Sequence, residues 1–350
     1  MRDTSQNLLN RDLEHILDHT RDLWEEIRGG RLFITGGTGF VGTWLLESFV
    51  DANQKLSLGA QAVVLSRNPE AFRKKAPHLA SLGSVQILRG DIREFKFPRE
   101  TFSHVIHAAA EVEDLGRDPL AELGTLFQGT RRALEFARHC DAQKFLLTSS
   151  GGVYGKQPQE LNKIPESYNG APDPCDDKSV YGEGKRLAEL LGTQFTQQGL
   201  EVKIARGFTF VGPFLPLDAH FAIGNFIRDA LRGGPVIVKS DGTPCRSYLY
   251  AADLAVWLWK ILFRGVSGRP YNVGSEEVVS IADLAYLVVE TVNPELKVSI
   301  KGEISLGRFP ERYIPDTNRA AQELGLKQWI PLAEGIRRTV RFYSNSFLNH

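Results

Sequence analysis

Arg31-Leu32-Phe33-Ile34-Thr35-Gly36-Gly37-Thr38-Gly39-Phe40-Val41-Gly42 is the stretch on which the fold turns. A short apolar run ends in a cluster of glycines, and an amphipathic segment opens directly after it. That order predicts a buried strand, a tight turn and a helix N-terminus. The first N–H groups of such a helix have no partner within it, and they lie at the positive end of its dipole, so together they attract an anion. Side chains must be absent for a pyrophosphate to come close, which accounts for glycines at GxxGxxG spacing. Gly36 is expected to make the turn, Gly39 to let the backbone approach the phosphates, and Gly42 to let the helix pack on the sheet. Thr38, Phe40 and Val41 complete the loop, and the whole points to a bound dinucleotide.

Working outward, short apolar runs predict strands at 31–35, 62–66, 85–88, 104–107, 144–148, 202–205, 236–238 and 271–273. Amphipathic stretches predict helices at 41–51, 119–139, 180–198, 221–231, 252–263, 281–291 and 332–343. Strands that are continuously apolar and alternate with helices imply a parallel sheet covered on both faces. The expected class is therefore α/β, a Rossmann-type doubly wound parallel sheet of about seven strands with a smaller C-terminal substrate-binding lobe. Residues 31–206 would form the dinucleotide-binding domain, with 248–275 returning to it, and 207–247 and 276–350 the smaller lobe. Two loop-rich stretches, 156–178 and 207–219, are read as site-forming. Residues 1–30 stand apart. Leu13, Ile16, Leu17, Thr20, Trp24 and Ile27 fall at helical spacing before Gly29-Gly30, so an amphipathic helix is expected against the main body or a sister subunit.

Composition removes several function classes. Lys+Arg 42 balances Asp+Glu 42, so no net field attracts nucleic acid. The chain is 42% hydrophobic and 24% charged, ordinary for a folded protein. Its three cysteines, Cys140, Cys175 and Cys245, form no CxxC, which argues against a disulfide framework or zinc ribbon and for a reducing compartment. The charged N-terminus and the lack of an 18-residue apolar run predict neither a secretory signal nor a membrane span, hence a cytoplasmic location without membrane partners. No metal is expected either. His104 and His107 would point to opposite faces of a strand, while His15 and His19 have no third ligand and read as a solvated face.

The end of the second strand distinguishes NAD from NADP. An acid there bonds the ribose 2′-OH, whereas arginine pairs with a 2′-phosphate. Ser66-Arg67 offers no acid and favours NADP, with NAD kept as the alternative. After the third strand, Gly90-Asp91-Ile92 puts a carboxylate where it could bond an adenine amino group. Ala108-Ala109-Ala110 ends the fourth strand with small residues that leave room for the cofactor.

Tyr181-Gly182-Glu183-Gly184-Lys185 is the one YxxxK in the chain, at the start of a helix downstream of Leu147-Thr148-Ser149-Ser150. Residues i and i+4 share a helical face. An ammonium beside a phenol is expected to lower the tyrosine pKa towards the working pH. Tyr181 would then exchange a proton with a sugar hydroxyl or ketone, and Ser150 would hydrogen-bond the same oxygen. Lys185 would also hold the nicotinamide ribose.

These motifs stand in a fixed order, at 35–42, Asp91, 108–110, 149–155, 181–185, 206–213, 246–253 and 272–275. In that order the chain resembles the extended short-chain dehydrogenase/reductases, specifically their nucleotide-sugar epimerase/dehydratase branch. The resemblance implies substrate contacts from Ser149, Ser150 and Tyr181. It further implies diphosphate contacts from Asn225 and Arg246, with Arg308 or Arg312 adding another, and a homodimer formed through a four-helix bundle. This sequence departs from the branch at Leu126 and Thr209, where Asn is usual, and at Ser247, where Asp is usual. Gly151 and Gly152 matter more. The branch's 4,6-dehydratases have Asp-Glu there and its uronate decarboxylases keep the Glu, so both reactions are disfavoured. The expected function is reduction of a nucleotide-diphosphate 4-keto-6-deoxy sugar at C4. The alternative is a 4-epimerase that recycles NAD, and a non-catalytic dinucleotide sensor stands last.

Overall fold

Seven strands make the central sheet of the computed structural model, which describes residues 4–109, 118–303 and 309–347. In chain order they are β1 (Arg31–Thr35), β2 (Gln61–Ser66), β3 (Val85–Arg89), β4 (His104–His107), β5 (Lys144–Ser150), β6 (Glu201–Gly207) and β7 (Pro270–Val273). Their order in space is β7-β6-β5-β4-β1-β2-β3, and all neighbours are parallel. The chain winds outward from β1 to β3, then returns to β4 on the other side. The carboxyl ends of β1 and β4 therefore border the crevice at which ligands bind in open α/β sheets.

Alternate residues of β1 serve the two faces of the sheet. Leu32 and Ile34 join a core with Trp44, Leu45 and Phe49 of the Phe40–Lys55 helix and Trp259 of the Ala251–Arg264 helix. Phe33 joins the opposite core with Phe136 of the Thr130–His139 helix and Ala188 of the Val180–Gln197 helix. The predicted helix at 119–139 is interrupted. Pro119–Gly124 is α-helical, Thr125–Gly129 makes a π-turn, and the α-helix resumes at Thr130.

The N-terminal helix, Thr4–Thr20, runs into a 3₁₀ turn at Arg21–Ile27 and lies on the main body. Ile16, Leu17, Trp24 and Ile27 are buried there. Three polar contacts latch it. Asp12 accepts from the Tyr250 hydroxyl at 2.6 Å and from Arg338 at 2.5 Å, and His15 Nε2 lies 2.8 Å from Asp253 Oδ1. The His19 ring packs on Trp329 with centroids 4.4 Å apart. The expected solvated face for His15 and His19 is thus corrected: Asp253 and Trp329 in the seam draw both rings inward.

The strand predicted at 236–238 pairs with Val298–Ile300, outside the central sheet. A second small sheet sets Cys245–Arg246 between Val279–Ser280 and Arg312–Tyr313. No described helix is long and apolar enough to cross a membrane.

Candidate active site

Gly36 follows β1 with φ of +70°, and a Cβ on it would lie 2.5 Å from the Ala108 backbone, so no side chain is admitted there. A Cβ at Gly42 would come 2.2 Å from the Gly36 carbonyl oxygen. Gly42 therefore closes the helix onto the loop itself, not onto the sheet as expected. Gly39 caps this helix without a side-chain hydrogen bond, leaving its first N–H groups facing the crevice.

A cavity of about 880 Å³ extends from this loop across the carboxyl ends of the strands. Thr38, Phe40 and Val41 line it beside the glycines, with Ser66, Arg67, Asp91 and Ile92 past β2 and β3 and Ala108 and Ala109 past β4. Ser149, Ser150, Tyr181, Lys185 and Arg246 line the same space. A side-chain-free turn, a helix start with free donors and a long adjoining cleft fit a nicotinamide dinucleotide. Ala110 and Arg308 lie outside the described residues.

Tyr181 and Lys185 share the inner face of the Val180–Gln197 helix. Burial in the cleft pushes the Tyr181 phenol up, Ser150 within hydrogen-bonding reach works against that, and the negative charge of Glu122 adds to it. The expected lowering by Lys185 is not seen. The Lys185 ammonium stands 5.8 Å from the Tyr181 ring centre and donates to the Thr148 carbonyl at 2.8 Å. Desolvation thus outweighs the ammonium, and Tyr181 is held as a phenol. Lys185 itself is pushed down to about 8 by burial, against the pull of Glu189.

Sequence spacing alone could have found Glu189, which lies one turn beyond Lys185. Its carboxylate accepts from Ser149 at 2.5 Å and is gripped by Arg206 at 2.6 and 2.9 Å. Arg206 also donates to the Tyr154 hydroxyl at 2.8 Å, and that hydroxyl donates to Asn272 at 2.8 Å. This buried network fixes the carboxyl end of β5, and with it Ser149.

The substrate residues are only partly assembled. Arg246 faces the cavity, but its guanidinium is engaged by Glu311 at 2.6 Å and by the Cys245 carbonyl at 2.9 Å. Asn225 does not line the cavity; it accepts from Arg228 at 2.8 Å. Arg312 points away to Asn162 at 3.0 Å. Asp91 lines the cleft with both oxygens held by Arg93 at 2.8 Å. The proline-rich stretch at 156–178 contributes no lining residue. It packs behind the site instead, with Ile164 N–H bonded to the Ile314 carbonyl and Glu166 accepting from Asn272 N–H. The 207–219 stretch does line the cleft, through Phe208, Thr209 and Leu215.

Tyr313 was not anticipated. Its ring packs on Phe208 at 4.6 Å, and a Cβ on Gly151 would stand 2.5 Å from its hydroxyl. A Cβ on Gly152 would instead meet only ordinary contacts, 3.4 Å from Ser150 Oγ and 3.6 Å from the Tyr181 ring. Other candidates are structural. His107 is buried between Thr35 and Thr130 and pushed down to about 3 by desolvation. No group of three or more potential metal ligands occurs among the described residues.

The model of the NAD dependent epimerase/dehydratase family matches residues 32–274. UDP-glucuronic acid decarboxylase 1 of Arabidopsis thaliana is 30% identical over 321 residues, 91% of this chain and 71% of its own length. UDP-glucuronic acid decarboxylase 3 of the same plant is 30% identical over 309 residues, 87% of this chain and 86% of its own. Among solved structures, UDP-glucose 4-epimerase of Thermotoga maritima superposes with a TM-score of 0.76 at 22% identity, covering 91% of this chain and 99% of that one. dTDP-glucose 4,6-dehydratase of Streptomyces venezuelae does so at 0.76 and 23%, covering 89% and 96%. At that identity the superpositions speak for the fold alone.

Proposed function

Because the chain belongs to the NAD dependent epimerase/dehydratase family, a family of enzymes, we propose that it reduces a nucleotide-diphosphate 4-keto-6-deoxy sugar at C4. One observation carries this reading. Ser150, Tyr181 and Lys185 meet in the cleft, while Gly151 and Gly152 supply no carboxylate and the space above Gly151 is taken by Tyr313 and Phe208. Among the described residues lining the cleft, Asp91 is the one carboxylate, and it sits past β3, bound to Arg93. A 4,6-dehydratase needs a group to take a C5 proton and help expel the C6 hydroxyl. Reduction needs only a proton donor at the C4 oxygen.

When bound, a nicotinamide dinucleotide would supply the hydride. This chain's residues do the rest. Tyr181, held as a phenol by burial, gives its Oη proton to the sugar oxygen. Ser150 hydrogen-bonds that oxygen, and Lys185 supplies a nearby cation that steadies the resulting phenolate. Arg246 would exchange Glu311 for the substrate diphosphate, which suits a guanidinium fork. Ser66, Arg67 and Lys75 line the cleft past β2, with no acid at the strand end, which favours NADPH. Segments 207–247 and 276–350 would receive the sugar nucleotide, and two copies would pair through a four-helix bundle.

A 4-epimerase needs the same three groups, so the two reactions separate by stoichiometry. With NADPH and dTDP-4-keto-6-deoxyglucose, the reductase consumes one NADPH per product, read at 340 nm. Interconversion of UDP-glucose and UDP-galactose without net absorbance change would establish the epimerase instead. Release of carbon dioxide from UDP-glucuronate would overturn both. Tyr181→Phe is expected to abolish turnover and leave NADPH binding intact.

A further inference from the structure

Positive φ is rare outside glycine, and among the described residues it occurs at Ser57, Asp141 and Phe214. Ser57 and Asp141 are short side chains just past the ends of helices, where a left-handed residue commonly closes the last turn. Phe214, at φ of +71°, is neither short nor at a helix end. It is the third residue of the turn Gly212-Pro213-Phe214-Leu215, closed by the Leu215 N–H on the Gly212 carbonyl at 3.3 Å. Proline second and a positive φ third is the type II pattern, which ordinarily takes glycine or asparagine third. A bulky residue persists in such a conformation only when its surroundings over-determine it.

Here they do so from two sides. The carbonyls on either side of Phe214 are both held by side chains. Pro213 accepts from Trp44 Nε1 at 2.9 Å, and Leu215 accepts from the Tyr343 hydroxyl at 2.6 Å. The Phe214 ring stands edge-on to Trp44 with centroids 5.8 Å apart, and edge-on to Phe342 at 5.1 Å. Trp44 belongs to the Phe40–Lys55 helix, which opens at the glycine loop, and Phe342 and Tyr343 belong to the C-terminal helix, Leu332–Phe347. Leu215 and Pro216, the next two residues, line the cleft, and Phe214 does not.

We propose that Phe214 is a positioning residue, a peg between the helix of the glycine loop and the C-terminal helix that sets where the Leu215–Pro216 wall stands in the cleft. Glycine or asparagine in its place would ease the backbone but would lose the ring that ties the wall to both helices. The place of an apolar wall matters to a ligand because dispersion contacts weaken steeply across a gap of even an ångström. Resting on the proposed reaction, a sugar nucleotide loses contact with a displaced wall equally in its ground and transition states, so the loss falls on KM and spares kcat.

Phe214→Asn tests this, because asparagine adopts the positive φ readily and carries no ring. Amide exchange on the full chain, read by mass spectrometry without any ligand, is expected to run about tenfold faster than wild type in peptides over 212–217, with β1 unchanged. Tyr343→Phe releases the Leu215 carbonyl and keeps every ring. It should quicken exchange in the same peptides, and it decides the matter if Phe214→Asn folds poorly. Unchanged exchange over 212–217, or an equal rise in β1, overturns the proposal. With NADPH and dTDP-4-keto-6-deoxyglucose as probes, Phe214→Asn should raise the sugar-nucleotide KM about fivefold or more and hold kcat within about twofold; an unchanged KM also overturns it. If the wild-type chain turns over no sugar nucleotide, the proposed reaction fails while exchange over 212–217 still decides the role of Phe214.

Discussion

The Lys185 ammonium donates to the Thr148 carbonyl at 2.8 Å, although Lys185 lies one helical turn beyond Tyr181 on the same face. The lysine thus acts on the phenol as a nearby charge and not as a hydrogen-bond donor. Burial brings its pKa down to about 8. The sign follows: the cation is present below that value and is lost as pH rises through it. kcat/KM, which reports groups of the free enzyme, is expected to fall above about pH 8 for the proposed reaction. Lys185→Ala should remove this limb of the profile and lower kcat/KM by about 10² or more. A wild-type profile flat from pH 7 to 9.5 would show that the charge of Lys185 is not needed.

Gly151 and Gly152 are neighbours with opposite tolerance. A methyl at Gly151 would meet the Tyr313 hydroxyl at 2.5 Å and the Phe208 ring at 2.8 Å, and Phe208 is buried. Gly151→Ala is therefore expected to cost about 1–3 kcal/mol in urea unfolding. At Gly152 the same methyl finds normal van der Waals distances, and Gly152→Ala should unfold within about 0.5 kcal/mol of wild type. Equal effects at both positions would contradict the packing described above Gly151.

Glu311 occupies the guanidinium that the substrate diphosphate would need. The carboxylate is well exposed, so displacing it costs little, but it still competes. Glu311→Gln is expected to tighten binding of UDP or dTDP several-fold, and Arg246→Ala to weaken it more than about tenfold, both read by calorimetry. Tighter binding in neither nucleotide after Glu311→Gln would separate Arg246 from diphosphate recognition.

Ser247 buries its hydroxyl completely, and no partner for Oγ is found among the described residues. Its carbonyl, by contrast, accepts from Thr209. A buried hydroxyl without a partner carries a desolvation cost that alanine does not. Ser247→Ala should leave stability unchanged or raise it by about 1 kcal/mol. A lowered Tm would reveal a hydrogen bond at this hydroxyl.

The glycine loop, the alternation of strands and helices along the central sheet, and the placing of Ser150, Tyr181 and Lys185 beside one cleft were legible in the amino-acid sequence. Each is expressed over a short span, as an alternation of apolar runs, a glycine turn or an i,i+4 pair, and such patterns are dictated by neighbours along the backbone. What lay beyond reach was decided by segments distant in the chain. Tyr313 reaches the space over Gly151 only because the Arg312–Tyr313 strand aligns beside Arg246, and Arg246 is engaged by Glu311 for the same reason. Asn225 and Arg312 have the right chemistry for a diphosphate, yet Arg228 and Asn162 hold them elsewhere. The protonation of Tyr181 was also set in three dimensions. The spacing pointed to a phenol made more acidic by its lysine, but desolvation depends on how much protein surrounds a group, and in this cleft it outweighs a charge one turn away.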